Sequence, residues 1–418
     1  MDVDVSYLSS HSWVEDEMRE RTLWLRENDP VRWSEADNVW LISRFEDVVY
    51  CSKHQEIFTS GQGVRPNLAA KIGLIDEEEP RHGHLRSLIN RGFTPRMVKI
   101  LEQAFLKITT QAIDSVAPVG ECDFVSSIAV PLPLRLIAAM IGIRDEDYDR
   151  FAVWSNSMIA AEGRLDDPEV AAAATRSYME YAAYVTQIIE DRRKDPKDDL
   201  VSILTGAKDD GLLVHYDEDS SQFEEHSEKM HLANDELIKL MVILMVAGNE
   251  TTRNGLSGSM ELLIKHPEIR QRLIDDPSKL RDAIEEMLRL VTPVHSFGRT
   301  VLQDTELRGK KIKAGQQILM LYPSANRDAL AFEDPERFDI ERRPQHVAFG
   351  IGSHFCLGAN LARMELRVAL GQLLQRLPDM EFADDRGAVL QPSSLVRTCA
   401  SMNVRFTPER AQSAAAGC

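Results

Sequence analysis

Cys356 stands in the run FGIGSHFCLG, residues 349–358, among three glycines and two residues after His354. A cysteine so placed can be half of a disulfide, a buried structural thiol, or a thiolate offered to something large and flat. The chain has five cysteines, Cys51, Cys122, Cys356, Cys399 and Cys418. An odd, sparse set with no CxxC pair and no Cys/His cluster at zinc spacing argues against the disulfide. Glycine lets a backbone come close to a planar ligand and adopt dihedrals closed to other residues. Backbone N–H groups beyond the cysteine can bond its sulfur and temper its charge.

A thiolate ligand to a haem iron needs that close approach, and His354 could donate to a haem carboxylate; a buried thiol in a glycine-rich turn before a helix is the plainer alternative. Three other groups carry chemistry. Ala247-Gly248-Asn249-Glu250-Thr251-Thr252 interrupts an apolar run. An acid beside an alcohol is costly there unless it is used. The glycine opens room for a small ligand, and the threonine can bond the helix backbone or that ligand; a kink with a satisfied polar pair is the other reading. His82 and Arg86, one helical turn apart after Pro80, can hold a carboxylate together or form a solvated basic face. Glu286 and Arg289 are spaced to pair on a helix, a signal that gains weight from its place between the acid–alcohol pair and the cysteine.

These groups need long helices to position them. From residue 79 to about 289 the pattern is mostly helical, punctuated by Pro95, Pro118, Gly120, Pro131, Pro133, Gly142, Pro168 and Pro196. Asn234-Asp235 reads as the N-cap of a helix that runs to about His266 and stops before Pro267. Its roughly 30 residues would span about 45 Å, enough for a central strut bearing Glu250 and Thr251. Gly248 in its middle costs about 1 kcal/mol against alanine and needs a reason. A second helical part is expected at about 358–377, and β-rich parts at about 30–60, 290–340 and 385–408, all in one domain over 1–418 with a frayed tail at 411–418. Residues 209–230 read as an acidic exposed excursion; a metal site from His215 and His226 is the lesser reading.

The 418 residues are 43% apolar with a net charge of −18. That charge argues against nucleic acid and against an anionic membrane surface as partners. No stretch reaches the roughly 18–20 apolar residues of a membrane span, and the opening MDVDVSYLSS lacks a signal pattern. A cytoplasmic monomer without a membrane anchor is expected.

Taken together and in this order, the motifs resemble those of the cytochrome P-450 family, over about Trp24 to Phe406. The resemblance implies a mainly α fold with small β-sheets, a triangular prism crossed by a long central helix over the haem. It implies heme b (iron protoporphyrin IX), with Cys356 as the iron ligand in a loop that includes Gly358, and Phe349 as the aromatic near the sulfur. It implies that His82, Arg86, Arg299 and His354 bind the haem propionates. Ala247 and Gly248 would flank an oxygen groove, and Glu250 and Thr251 would deliver protons to bound O2. Glutamate stands where many members have aspartate; the retained pair argues against peroxide-dependent branches. Glu286 and Arg289 would buttress the core, with Asn326 to Arg342 packed against them. Thiolate ligation favours O–O cleavage, so the implied activity is that of a monooxygenase. At this length no fused reductase is expected, and electrons would come from a ferredoxin or flavodoxin with its NAD(P)H-dependent reductase. Arg91, Arg363 and Arg367 would offer that partner a basic patch, or make only local helix pairs.

By register with these motifs, Ile243, Val246 and Ala247 would line a substrate pocket from the long helix. Val294, His295 and Phe297 would line it from the segment after the buttress helix, Leu395 and Val396 from the C-terminal turn, and Leu74 from the loop before Pro80. The set is mainly apolar and fits a small apolar substrate; His295 would bond a substrate oxygen, a propionate or the backbone. SGQGVRPN (60–67), with Leu74-Ile-Asp76 and ECDFV (121–125), resembles actinobacterial members that hydroxylate sterol side chains. A steroid or sterol hydroxylase is therefore expected. The alternative is a hydroxylase of terpenoids or of other lipids and secondary metabolites. A non-catalytic haem-binding or gas-sensing protein is more distant, since it would not need Glu250 and Thr251.

Overall fold

Proline and acidic caps open the helices. Pro131, Pro168 and Pro267 each sit at the start of one, where the missing N–H costs nothing. The Asp167 carboxylate accepts from the N–H groups of Glu169 and Val170, and Gly142 closes a helix in the left-handed region at φ 82°. A computed structural model describes residues 2–67, 73–90, 95–161, 167–197, 199–209 and 234–409. The expected excursion at 209–230 with His215 and His226, Arg91, and the tail at 411–418 lie outside the described residues, Asp209 apart.

The chain begins with α1 (Glu15–Asn28), the hairpin β1 (Val31–Ser34) and β2 (Val39–Ile42), α2 (Phe45–Lys53) and β3 (Phe58–Thr59). Then come α3 (Arg81–Asn90), α4 (Pro95–Val116), β4 (Glu121–Asp123), α5 (Pro131–Ile141), α6 (Tyr148–Ala160), α7 (Pro168–Lys194) and α8 (Leu200–Asp209). The long helix α9 (Asn234–Lys265) starts and stops where the cap and proline signals put it, and α10 (Pro267–Asp275) and α11 (Leu280–Val291) follow. The remainder is β5 (Ser296–Val301), β6 (Thr305–Leu307), β7 (Lys310–Ile312), β8 (Gln317–Leu321), α12 (Tyr322–Ala325), α13 (Ala359–Arg376), β9 (Glu381–Phe382), β10 (Ala388–Gln391) and β11 (Thr398–Arg405).

The main core lies between α9 and the helices α4, α5, α6, α7, α11 and α13. A second core lies under a five-stranded sheet of order β1-β2-β8-β5-β3. Only the β2–β8 pair in that sheet is parallel, with Leu41 opposite Leu319. A second sheet joins β10, β11 and β4, with β9 also on β11. The strand β4 interrupts the stretch expected to be helical. Its partner is β11, with Cys122 opposite Val404, and the Asp123 carboxylate accepts from Met402 N at 2.8 Å. The pairing comes from the far end of the chain, so local periodicity could not announce it.

The buttress expected at Glu286 and Arg289 is present and fully buried. Arg289 Nε and Nη2 reach the two Glu286 oxygens at 2.7 and 2.8 Å. Arg289 Nη1 also donates to the carbonyls of Asn326 and Pro335, each at 2.7 Å, and Arg342 Nε donates to Glu286 Oε1 at 3.0 Å. The pair thus ties α11 to the irregular segment after α12, and each buried charge has its partners.

Candidate active site

The cysteine loop is shaped by its glycines. Gly350 and Gly352 have φ of 66° and 83°, and a Cβ on Gly352 would lie 2.6 Å from the Ser52 carbonyl oxygen. Only glycine fits both the dihedral and the contact. Cys356 N–H donates to Phe349 O at 2.9 Å, closing the loop just before α13. Burial, the largest influence, pushes the Cys356 thiol up; the N–H groups of Gly358 and Ala359, with Arg86 and Arg363, pull it back. Yet the residue is reachable by solvent. Deep enclosure and accessibility are compatible when the sulfur faces a hollow inside the molecule. Arg363 lies 4.6 Å over the Phe349 ring.

Basic side chains from three elements face the same region. His82 and Arg86 come from α3, Arg299 from β5 and His354 from the cysteine loop. The His82 and His354 rings lie 4.1 Å apart. Burial and the charges of Arg299, His82 and Arg86 hold His354 down at about 3, so it is neutral at ordinary pH. Its Nε2 is 3.0 Å from Ser60 Oγ. His82 Nδ1 lies 3.1 Å from Glu79 Oε1. Arg299 is buried and bonds its neighbour's carbonyl, Gly298 O, at 2.7 Å. Burial lowers both Arg86 and Arg299, and among the described residues no carboxylate bonds either. A buried guanidinium, Arg299, and a half-buried one, Arg86, with no carboxylate bonded to either among the described residues, suit anionic groups on a ligand.

The helix α9 crosses this region. Ile243, Val246 and Ala247 share a face; Ala247 is exposed and the other two are half-buried. Thr251 Oγ1 donates to Ala247 O at 2.7 Å. Glu250 is buried; its Oε1 accepts from Arg253 Nη2 at 2.6 Å and Asn254 Nδ2 at 2.9 Å. Its Oε2 is buried with no partner among the described residues, a loss of about 1–3 kcal/mol unless another group reaches it. A Cβ on Gly248 would lie 3.0 Å from Ile137 Cδ1 of α5. Close packing of the two helices is thus a reason for the glycine beside any widening of the groove.

The other expected pocket residues gather from several elements. A Cβ on Gly73 would lie 3.1 Å from Ile243 Cδ1, which puts the turn of Leu74 against α9. Val294 forms a β-bridge with Val396, and Leu395 O accepts from His295 N at 2.7 Å. Phe297 packs edge-on to Tyr322 at 6.1 Å. The His295 side chain takes the backbone option: its Nδ1 lies 3.0 Å from Ser393 O, and its ring stacks on Trp13 at 4.2 Å. A carbonyl can only accept, so Nδ1 carries the proton, and burial holds the ring down at about 4. Arg363 forks Glu285 at 2.7 Å through both Nε and Nη2, and Arg367 meets Glu102 at 2.7 Å. Both pairs run between helices, from α13 to α11 and from α13 to α4.

The Cytochrome P450 family model matches residues 168–387, and a steroid C26-monooxygenase of Mycobacterium tuberculosis is 36% identical over 407 residues, 97% of this chain and 98% of that protein. The chain belongs to the cytochrome P450 family. A methyl-branched lipid omega-hydroxylase of Mycobacterium bovis is 37% identical over 366 residues, 84% of this P450 and 80% of that one. CYP109E1 of Bacillus megaterium, solved in complex with corticosterone, superposes with a TM-score of 0.82 at 31% identity. It covers 94% of this P450, and all of that chain is matched. The family is one of haem monooxygenases, and the residues present fit a haem: an enclosed, accessible thiol beside guanidinium groups that lack counter-ions. Sequence reasoning missed Ser60, Arg253, Asn254 and Thr398 around these groups. Asn254 was readable as a helical neighbour of Glu250; Ser60 and Thr398 arrive from distant chain and leave no local signal.

Proposed function

We propose that this P450 hydroxylates a steroid or sterol, binding heme b through Cys356 and taking electrons from a separate ferredoxin-type protein. The observation that carries the reading is the accessible apolar face of Ile243, Val246 and Ala247 on α9, one turn from Thr251 and flanked by the Leu74 turn. Such a wall suits a large apolar substrate and excludes bulk water. The steroid C26-monooxygenases among the relatives, and the neighbour solved with corticosterone, support that substrate class.

Each residue has a defined task. Cys356 holds the iron, and the N–H groups of Gly358 and Ala359 temper its charge. Arg86 and Arg299, with His82 and His354, hold the propionates; neutral His354 serves as a hydrogen-bond donor there. When bound, the haem supplies reduction and cleavage of dioxygen. Thr251 donates its own hydroxyl hydrogen to Ala247 O, so its oxygen is left to accept and orient a proton donor. Glu250 would pass protons through Oε2, which no other group bonds among the described residues. Leu395 and Val396, with Val294 and Phe297, shape the far wall.

The methyl-branched lipid omega-hydroxylase relatives favour a second reading, a branched acyl chain. Spectral titration of the purified ferric protein decides between them. A saturable low-to-high-spin shift with cholestenone or progesterone, absent with branched fatty acids and monoterpenes, supports the steroid reading; the reverse pattern overturns it.

A further inference from the structure

Glu250 has one crowded oxygen and one bare one. Arg253 and Asn254 both donate to Oε1, Thr398 Oγ1 stands 3.5 Å from it, and Oε2 is buried and unpartnered. Asn254, itself wholly buried, is not free to turn. Its Oδ1 accepts from the backbone N–H of Cys399 at 2.9 Å. The amide nitrogen must therefore face the acid, where it donates to Glu250 Oε1 and, at 2.8 Å, to the Glu250 carbonyl.

Cys399 lies in β11, just after the turn that carries Leu395 and Val396. That turn is fixed from behind. Arg397 N–H donates to Pro293 O at 2.8 Å, and Arg397 Nη2 reaches Glu261 on α9 at 2.6 Å. Residues 397, 398 and 399 thus each meet a side chain of the central helix: Glu261, Glu250 and Asn254 in turn.

We propose that Asn254, assisted by Arg253, is a positioning residue for Glu250. It pins Oε1, leaves Oε2 free to meet a proton donor, and ties the aim of that oxygen to the strand that follows the substrate turn. The inference rests on the reading of Glu250 as the proton-handling acid.

The test is Asn254→Asp in the haem-loaded protein. Aspartate keeps the acceptor for Cys399 N–H and replaces the donor to Glu250 with a second carboxylate. Substrate affinity, read by spectral titration, stays unchanged, while product formed per reducing equivalent falls about tenfold. Two carboxylates in contact cannot both stay ionised. The infrared spectrum of the ferric protein therefore gains a protonated-carboxyl C=O absorption, which a further Glu250→Gln substitution removes. An Asn254→Asp protein with parental product yield and no new absorption overturns the proposal, provided Glu250→Gln alone lowers the yield. If Glu250→Gln alone leaves the yield intact, the reading of Glu250 as the acid is what fails. If Asn254→Asp does not fold, Arg253→Gln decides: lower yield at unchanged affinity supports the proposal, and unchanged yield overturns it.

Discussion

Glu365 on α13 is buried, its Oε2 has no partner among the described residues, and burial pushes its carboxyl up to about 8 from an ordinary 4.5. Folded chain binds that proton more tightly than unfolded chain between these two values. Its contribution is therefore full below about pH 4.5 and is lost as pH rises towards 8. Glu365→Gln should flatten the fall in urea midpoint between pH 6 and about 8.5, in unfolding curves of parent and variant across that range. Thr251 makes a different prediction. Thr251→Val keeps the shape and loses the hydroxyl, so product per reducing equivalent should drop about tenfold or more while electrons are still consumed; Thr251→Ser should restore much of it. At this scale the sequence was informative where a motif is local. The Cys356 loop, Glu250-Thr251 and Glu286-x-x-Arg289 each declare themselves within ten residues. The preference of His295 for Ser393 O and Trp13 was open, because its partners come from the two ends of the chain.

Among the elements, α9 carries the chemistry and its neighbours fix where it lies. Gly248→Ala should force Ile137 of α5 to yield, costing about 1–2 kcal/mol in denaturant unfolding without loss of haem binding. Gly352→Ala is harsher, since its Cβ meets a backbone oxygen at 2.6 Å in a left-handed conformation; haem content after purification should fall with it. Arg289→Met removes the guanidinium that forks buried Glu286, leaving Arg342 and the Asp339 N–H on one oxygen only, and should cost about 3 kcal/mol. If unfolding midpoints of Arg289→Met match the parent, the buttress is not what holds α11 to the segment after α12. The ends of α9 were legible from Asn234 and Pro267 because caps and prolines act within a turn. The strand β4 was not, because three residues gain strand form only from β11 beside them.

For the molecule as a whole, distant elements gather Cys356, His82, Arg86, His354 and Arg299 into a site that fits a haem. Emptying it should be costly. Haem at 100 times its dissociation constant should add about 2.7 kcal/mol of stability, read as a rise in melting midpoint, and Arg299→Gln should narrow that rise. Among the described residues no helix is long and apolar enough to cross a membrane, as expected from a chain without a long apolar stretch. The general plan of helices and small sheets could be read from periodicity; the closure of the chain on itself could not, since nothing local marks Glu15 as a partner of Arg397.

That closure has a consequence for synthesis. The contact between Glu15 and Arg397 joins residues 382 positions apart, and at about 5–20 residues per second the intervening chain takes roughly 20–80 s to make. For most of that interval β2 waits with one edge unclaimed, because β8 is its parallel neighbour. An early-made strand is thus among the last to be completed. A nascent chain of this kind is a natural client for a holding chaperone, and translation halted before Thr398 would release a protein whose central helix is whole but whose acid has not yet been aimed.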